Sequence, residues 1–406
     1  MRLLHTSDWH LGQHFIGKTR QVEHQAFINW LLKQVHQHQV DAVIVVGDIF
    51  DTGAPPSYAR ELYNRFVVEL HGAGAQLVLL GGNHDSVATL NESRPLLAYL
   101  TTHVVPAVAD DPAEQVLVLP TRSGRPGAVL CAVPYLRPRD LLQSQAGQSA
   151  EEKQQSLQEA IHRHYQTVYV LACAKRDELG LKLPIVATGH LTTVGASASE
   201  SVREIYVGAL EAFPTSAFPP VDYIALGHIH RPQLVGGLEH IRYSGSPIPL
   251  SFDEAQQEKT VLLVDLDEQG LQAVTPLPVP RFQPLAAVKG TLAELAESIP
   301  MLASQSTAEQ PVWLEVMVRG DDYLTDLQGR IEAITDGLPV EVLRLRRERG
   351  SASSNLQSNT RETLDELTPF DVFAKRLEQE ELADELKQQL TGRYRDIVAS
   401  LAEGAA

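Results

Sequence analysis

At five places along the chain an apolar run that reads as a buried strand stops at a glycine or a small polar residue and then delivers Asp, Asn or His. In order these are Ser7-Asp8-Trp9-His10, Gly47-Asp48, Gly82-Asn83-His84-Asp85, Gly189-His190 and Gly227-His228-Ile229-His230. No other feature constrains the fold as much. Strands that all end in ligand-type residues belong at the carboxyl edge of an α/β sheet, where side chains distant in sequence meet at one point. Oxygen and imidazole donors gathered there describe a centre for two divalent cations. Such a centre clamps the attacking and leaving oxygens of an in-line displacement, with the ions roughly 3.5–4 Å apart. The pattern implies a hydrolase of phosphate esters.

From Leu3 to about Val105 strand and helix patterns alternate. A strand begins at Leu3-Leu4, and Val22 to Gln37 reads as a helix with Phe27, Leu31, Leu32 and Val35 on one face. Asp41 to Val46 is a strand, Ser57 to Leu70 a helix, and Gln76 to Leu80 a strand. This is the signature of parallel βαβ units. Further strands are expected at Leu130–Pro134, Ile185–Thr188, Tyr223–Leu226, Ile241–Ser244 and Val261–Leu266, with a helical insert over Glu151–Leu179. Pro276, Pro278, Pro280 and Pro284 mark an extended connector, so an α/β domain spans residues 1–280. A small α+β module over 281–349 follows: Leu285–Val288, a helix around Leu292–Ile299, strand Val312–Val318, a helix over Leu324–Ile334, and Val340–Leu345. Residues 350–360 are rich in Ser and Asn and read as a flexible linker. Residues 361–406 read as helical, opening at the Thr368-Pro369 cap and carrying an imperfect apolar stripe from Phe370 to Leu390 that must pack somewhere.

The 406 residues are 43% hydrophobic and 21% charged, which suits a globular protein with a large core, and no apolar run is long enough to span a bilayer. Leu3 and Leu4 open the first strand so early that no secretory signal is expected, and the expected compartment is the cytoplasm. Cys131 and Cys173 are expected as reduced core thiols. The formal charge of −17 speaks against nucleic acid, because phosphate contacts come mostly from Lys and Arg. Part of that acidity is cation-binding carboxylate, and a partner could supply positive surface. The conspicuous basic run is Arg344, Arg346, Arg347 and Arg349. Arg344 and Arg346 share a strand face, which fits either a phosphate backbone or a solvated sheet edge.

Asp8 and His10 lie two apart, so an extended backbone sets both on the same side, able to grip one ion. His228 and His230 repeat the spacing. Asp48 follows the apolar run Ala42–Val46, and its two carboxylate oxygens allow it to bridge two cations. Asn83 offers a neutral oxygen, His84 a ring that need not bind metal, and His190 a further imidazole. A Gly-Asp pair alone is more often a turn, and a lone histidine more often a hydrogen-bonded one. Five such strand ends together outweigh those readings. Asp51, Arg231 and Ser246 lie close enough in sequence to orient ligands or contact phosphate.

In order and type these motifs resemble the signature of the calcineurin-like metallophosphoesterases. His5-Thr6-Ser7-Asp8-Trp9-His10-Leu11-Gly12, Gly81-Gly82-Asn83-His84-Asp85-Ser86 and Gly245-Ser246-Pro247-Ile248-Pro249-Leu250-Ser251-Phe252 resemble more narrowly the nuclease subunits of SbcCD-type complexes. The resemblance spans essentially the whole chain. It implies two sheets flanked by helices, a small α+β capping domain and C-terminal helices. It implies that Asp8, His10, Asp48 and His230 hold one ion and that Asp48, Asn83, His190 and His228 hold the other, with manganese as the metal. His84 would stay off the metals and face the scissile phosphate, with Asp85 orienting it. The implied activity is 3′-to-5′ exonuclease action on DNA double-strand ends and endonuclease action on hairpins or single strands, in recombination, replication and repair. The implied partners are DNA, an SMC-like ATPase of the SbcC type bound by the terminal helices, and a second copy of the chain in a homodimer within a heterotetramer. The alternative on the same motifs is a cyclic-nucleotide phosphodiesterase or a phosphatase.

Overall fold

The computed structural model describes residues 1–142, 149–202, 212–304, 306–319 and 326–348, together with residues 390, 391, 393 and 394. The expected linker 350–360 and nearly all of the helical tail 361–406 lie outside the described residues.

The first half runs β1 (Arg2–Thr6), the hairpin β2 (His14–Phe15) and β3 (Lys18–Thr19), α1 (Gln21–Gln37), β4 (Ala42–Val46), α2 (Ser57–Gly72), β5 (Gln76–Leu80), α3 (Val87–Glu92), α4 (Arg94–Leu97) and β6 (Thr102–Val105). There follow β7 (Val116–Pro120), β8 (Pro126–Cys131), α5 (Pro138–Leu141), α6 (Ala150–Leu179), β9 (Ile185–His190), β10 (Tyr223–Gly227), β11 (Gln233–Val235), β12 (Leu238–Tyr243), β13 (Thr260–Asp267) and β14 (Gly270–Pro278). Two six-stranded sheets result, in the orders β14-β13-β1-β4-β5-β6 and β11-β12-β10-β9-β8-β7. Strands β1, β4, β5 and β6 are parallel, and so are β8, β9, β10 and β12. Each parallel set therefore presents its carboxyl ends along one edge.

Period-two alternation explains the layering. In β4 the side chains of Val43 and Val45 pack with Phe27, Leu31 and Phe66 under the α1–α2 layer. The intervening Ala42, Ile44 and Val46 face Leu130, Val186, Tyr223 and Ala225 of the other sheet. A third core lies where α6, with Ile161, Tyr165 and Val168, covers the outer side of the second sheet. The order is helix, sheet, sheet, helix. Burying both faces of each sheet accounts for the near-continuous apolar runs of the central strands.

Two expectations shift. The proline-rich stretch read as a connector is an edge strand as far as Pro278, pairing antiparallel with β13. Proline is tolerated there because an edge strand has one side free of ladder bonds. The strand expected at Leu130–Pro134 runs instead from Pro126 to Cys131. Beyond it Val133 leaves the ladder, its N–H donating to Thr188 Oγ1 at 2.8 Å.

The remaining elements are β15 (Leu285–Gly290), α7 (Leu292–Ala303), β16 (Val312–Val318), α8 (Leu327–Thr335) and β17 (Val340–Arg347). The three strands are parallel in the order β15-β16-β17 and have their own core of Ala286, Leu295, Ile299, Leu314, Val316 and Ile331. This third sheet touches the rest through Phe15, Phe252, Ala255, Leu285 and Trp313. Phe15 stacks on Trp313 with ring centroids 5.8 Å apart. Lys18 pairs with Glu341, and the Arg344 guanidinium sits 5.9 Å from the Phe252 ring. Arg344 and Arg346 both reach Glu315, at 3.1 and 3.6 Å.

Candidate metal centre

The five strand ends meet. Asp8 and His10 follow β1, Asp48 follows β4, and Asn83 and His84 follow β5, all in the first sheet. His190 ends β9 in the second sheet, and His228 and His230 follow β10. Ligand atoms of Asp8, His10 and His230 lie within 4.8 Å of one another, as do those of Asp48, His190 and His228. Asn83 Oδ1 joins the second group, 3.0 Å from His190 Nε2 and 3.2 Å from His228 Nδ1. All seven residues expected as ligands are thus at one place. His10, Asp48 and His84 form a further set by the same distance, so proximity alone does not keep His84 apart.

Close approach explains the glycines that introduce the ligands. A side chain at Gly82 would put its Cβ 2.2 Å from Asp48 Oδ1, and one at Gly227 would lie 1.9 Å from the Val46 carbonyl oxygen. The backbone also turns sharply. Asp8, His10, Asp48 and His228 all have positive φ, at 53°, 46°, 50° and 95°. That conformation costs an L-residue about 1–2 kcal/mol, so its concentration here marks a site over-determined by its surroundings. Part of the constraint comes across the two sheets. The His228 N–H donates to Asp8 Oδ1 at 3.0 Å, and the His10 N–H to the Asp48 carbonyl at 3.0 Å.

The donor chemistry tests whether cations fit. His190 Nδ1 is 2.9 Å from the Val46 carbonyl, which only accepts, so Nδ1 carries a proton. Nε2 of the same ring then faces two further acceptors, Asn83 Oδ1 at 3.0 Å and Asp48 Oδ2 at 3.2 Å. Lone pairs converge on one point, an arrangement satisfied by a shared cation or by protonating the ring. In the bare site the ring takes the proton: burial opposes its charge, but Asp48 raises its pKa to about 9. The Asp48 carboxyl, although burial works against its charge, is held well below the usual range by the imidazoles of His190, His10 and His84. His10 Nε2 and His228 Nε2 are buried without a hydrogen-bond partner. A buried nitrogen left unmade in this way costs about 1–3 kcal/mol. The residues fit a pair of divalent cations.

His84 is half-buried, and its Nδ1–H donates to the Asp51 carbonyl at 2.8 Å, which leaves Nε2 as the nitrogen able to exchange a proton. Asp85, expected from sequence to orient that ring, accepts backbone N–H groups instead, from Gly82 at 2.9 Å, Phe50 at 2.9 Å and Ile49 at 3.1 Å. It ties the loop after β4 to the loop after β5. Burial, with the charge of Asp48, lifts its pKa to about 6. Asp51 meets its expectation as a neighbour of a ligand, Oδ1 lying 3.0 Å from His10 Nδ1. Ser246 accepts from Lys259 at 3.0 Å, and Arg231 is exposed. Sequence reasoning missed Ser201, Glu254 and Lys259, which hold the far side of His230. They lie in segments with no motif of their own. Burial disfavours the Glu254 charge, yet His230 and Lys259 keep its carboxyl far below the ordinary carboxylate range.

Paired sheets carrying such a donor set along one edge define a phosphoesterase with two cation positions. The family profile described as calcineurin-like phosphoesterase matches residues 1–232. A second, described as type 5 capsule protein repressor C-terminal domain, matches residues 281–381. The chain is 54% identical over 402 residues to SbcD, the nuclease chain of SbcCD, from Escherichia coli (strain K12), covering 99% of both chains. It is 33% identical to the Rhodobacter capsulatus protein of that name, covering 84% of this chain and 86% of that one. The chain belongs to the calcineurin-like phosphoesterase family, and within it to the SbcD nucleases. Among the described residues no helix is long and apolar enough to cross a membrane.

Proposed function

We propose that the chain is the nuclease subunit of an SbcCD-type complex, a manganese-dependent enzyme that hydrolyses DNA phosphodiester bonds. Its reactions are 3′-to-5′ exonuclease cleavage at double-strand ends and endonuclease cleavage at hairpins or single strands. The observation that carries the reading is the convergence of acceptor atoms from two sheets, Asp48 Oδ2, Asn83 Oδ1 and His190 Nε2, beside the unpartnered Nε2 of His10 and of His228. The similarity to the SbcD nuclease over 99% of the chain supports DNA as the substrate.

Asp8, His10, Asp48 and His230 would hold one ion and Asp48, Asn83, His190 and His228 the other, with Asp48 shared. Mixed carboxylate, amide and imidazole donors suit manganese, iron or zinc, and the family resemblance selects manganese. When bound, two such cations lower the pKa of water and offset the charge of a phosphodiester. His84 does the proton work of the chain itself. With Nδ1–H committed to the Asp51 carbonyl, its Nε2 is the nitrogen that would stabilise or protonate the leaving oxygen. Asp85 fixes where His84 stands by tying down the backbone on either side.

In this reading residues 1–280 form the nuclease domain, 281–349 the capping domain and 350–360 a linker. Residues 361–406 bind the SMC-like ATPase, whose ATP-driven motion governs access to the site, and two copies of the chain pair within a heterotetramer. Deleting 361–406 should abolish capture of the ATPase in pull-down, and unchanged binding would remove that part of the proposal.

The test of the activity is degradation of end-labelled linear duplex by the full chain with Mn²⁺, wild type against His84→Ala, with metal content measured in both. The expected result is cleavage by wild type alone, at equal metal content. If neither cuts, the ATPase is added. Continued silence together with hydrolysis of a cyclic nucleotide or a phosphopeptide would transfer the site to those substrates.

A further inference from the structure

Behind His230 a run of hydrogen bonds leads to a buried ion pair. Lys259 is 3% exposed and Glu254 wholly buried, and Lys259 Nζ stands 2.6 Å from Glu254 Oε2. The ammonium also donates to the His230 carbonyl at 2.9 Å and to the Ser246 hydroxyl at 3.0 Å. The other carboxylate oxygen, Oε1, accepts from the hydroxyls of Ser199 and Ser201. Ser201 Oγ in turn lies 2.6 Å from His230 Nδ1.

The direction of each bond follows from what each group is able to do. A lysine ammonium only donates and an ionised carboxylate only accepts. The Ser201 proton therefore points at Glu254, and the lone pairs of Ser201 face the ring. His230 Nδ1 must then carry the proton of that contact. In a neutral imidazole this leaves Nε2 with the free pair. We propose that Glu254, acting through Ser201, is a positioning residue that fixes His230 in the Nδ1–H form and so makes Nε2 a ligand for a divalent cation. The inference rests on the reading of Asp8, His10 and His230 as ligands of one ion.

Lys259 gives the relay its polarity. With glutamine at position 254, the amide oxygen has to turn to Lys259 and the amide NH₂ to Ser201. The Ser201 hydroxyl would then donate to Nδ1, and the His230 proton would sit on Nε2, closing the ligand position. Ser201→Ala removes the link without inverting it. Since Glu254→Gln also strips Lys259 of its counter-charge and lowers stability, Ser201→Ala is the deciding variant.

The experiment is titration of the metal-free full chain with Mn²⁺, followed by the resonance of the free ion, with ¹⁵N ring signals of His230 recorded in the apo chain. Wild type should take two ions. Ser201→Ala should bind one of them about 10–100-fold more weakly and leave the other unchanged. Ser201→Thr, which keeps the hydroxyl, should restore wild-type binding. Glu254→Gln should lose the same ion more completely and move the His230 proton from Nδ1 to Nε2. Two ions bound by Ser201→Ala as tightly as by wild type would overturn the relay and leave the site reading intact. Equal weakening of both ions would also overturn it, showing a structural effect only. A wild-type chain that takes fewer than two ions would overturn the site reading, and the relay with it.

Discussion

The strand-end cluster and the third sheet contain the same kinds of charged side chain and use them in opposite ways. In the cluster Asp8, His10, Asp48, His190, His228 and His230 are all buried, and several of their polar atoms face one another with nothing between. In the third sheet Arg344, Arg346, Lys289, Arg319, Glu315 and Glu348 pair off, with side chains from 14% to 53% exposed. Charge in water is cheap and its pairing adds little, whereas buried charge must be compensated. The same residue types are thus a demand for cations in one place and ordinary surface in the other.

The contrast breaks most visibly at Asp48. Asp48→Asn should lower cleavage of duplex DNA by about 10⁴-fold or more, equivalent to roughly 5 kcal/mol. It should also cost the chain bound Mn²⁺, measured by elemental analysis after dialysis. Full activity with both ions retained would show that the cluster does not need its bridging carboxylate. Next comes the ion pair beside the cluster. Lys259→Met leaves Glu254 buried and uncompensated, and denaturant unfolding should show a loss of about 3–5 kcal/mol.

A smaller effect separates buried imidazoles from exposed ones by pH. Burial pushes the His5 ring down to about 3, and His24 likewise. Both are neutral in the folded chain while the unfolded chain protonates them below the ordinary histidine pKa of about 6.5. The unfolded state therefore binds more protons as pH falls, so stability present above about 6.5 is lost toward 3, by about 1.4 kcal/mol per pH unit for each ring. In the metal-free chain His5→Gln should remove one such contribution from the slope between pH 6.5 and 5. An unchanged slope would mean that His5 titrates freely. Least of all should happen in the third sheet. Arg346→Ala breaks its exposed pair with Glu315 and should change stability by about 0.5 kcal/mol or less. A loss of several kcal/mol there would dissolve the distinction.

The cluster is legible in the sequence for the reason that it is buried. Each ligand stands at the end of a strand whose apolar run is unmistakable, and the glycine before it records how closely the strand ends approach. The strands at residues 76–80 and 312–318 are legible to their ends for the same reason. What escapes depends on partners far along the chain. The apolar run Leu130–Pro134 is hydrophobic because it is covered, and half of it lies beyond the strand. Prolines at 276 and 278 hide an edge strand because a strand there needs its N–H groups on one side only. The arginine run gives no hint of Glu315, and the Gly-Asn-His-Asp motif does not say that the Asp85 carboxylate turns to backbone amides. Glu254 is invisible because its worth lies in Ser201 and Lys259, neither of which a spacing rule connects to it.

The 3₁₀ turn Phe252–Glu254 joins these two regions. At one end Phe252 sits against Phe15, 5.1 Å between ring centroids, with Trp313 and Arg344 of the third sheet close by. At the other, Glu254 grips the hydroxyl that faces His230. Three residues are too short to bend between those grips, so the turn behaves as a rocker with the outer sheet on one arm and a single histidine on the other. Tilting that sheet would disturb the pocket lopsidedly, slackening the half that contains His230 and leaving the half built on Asn83 and His190 at rest.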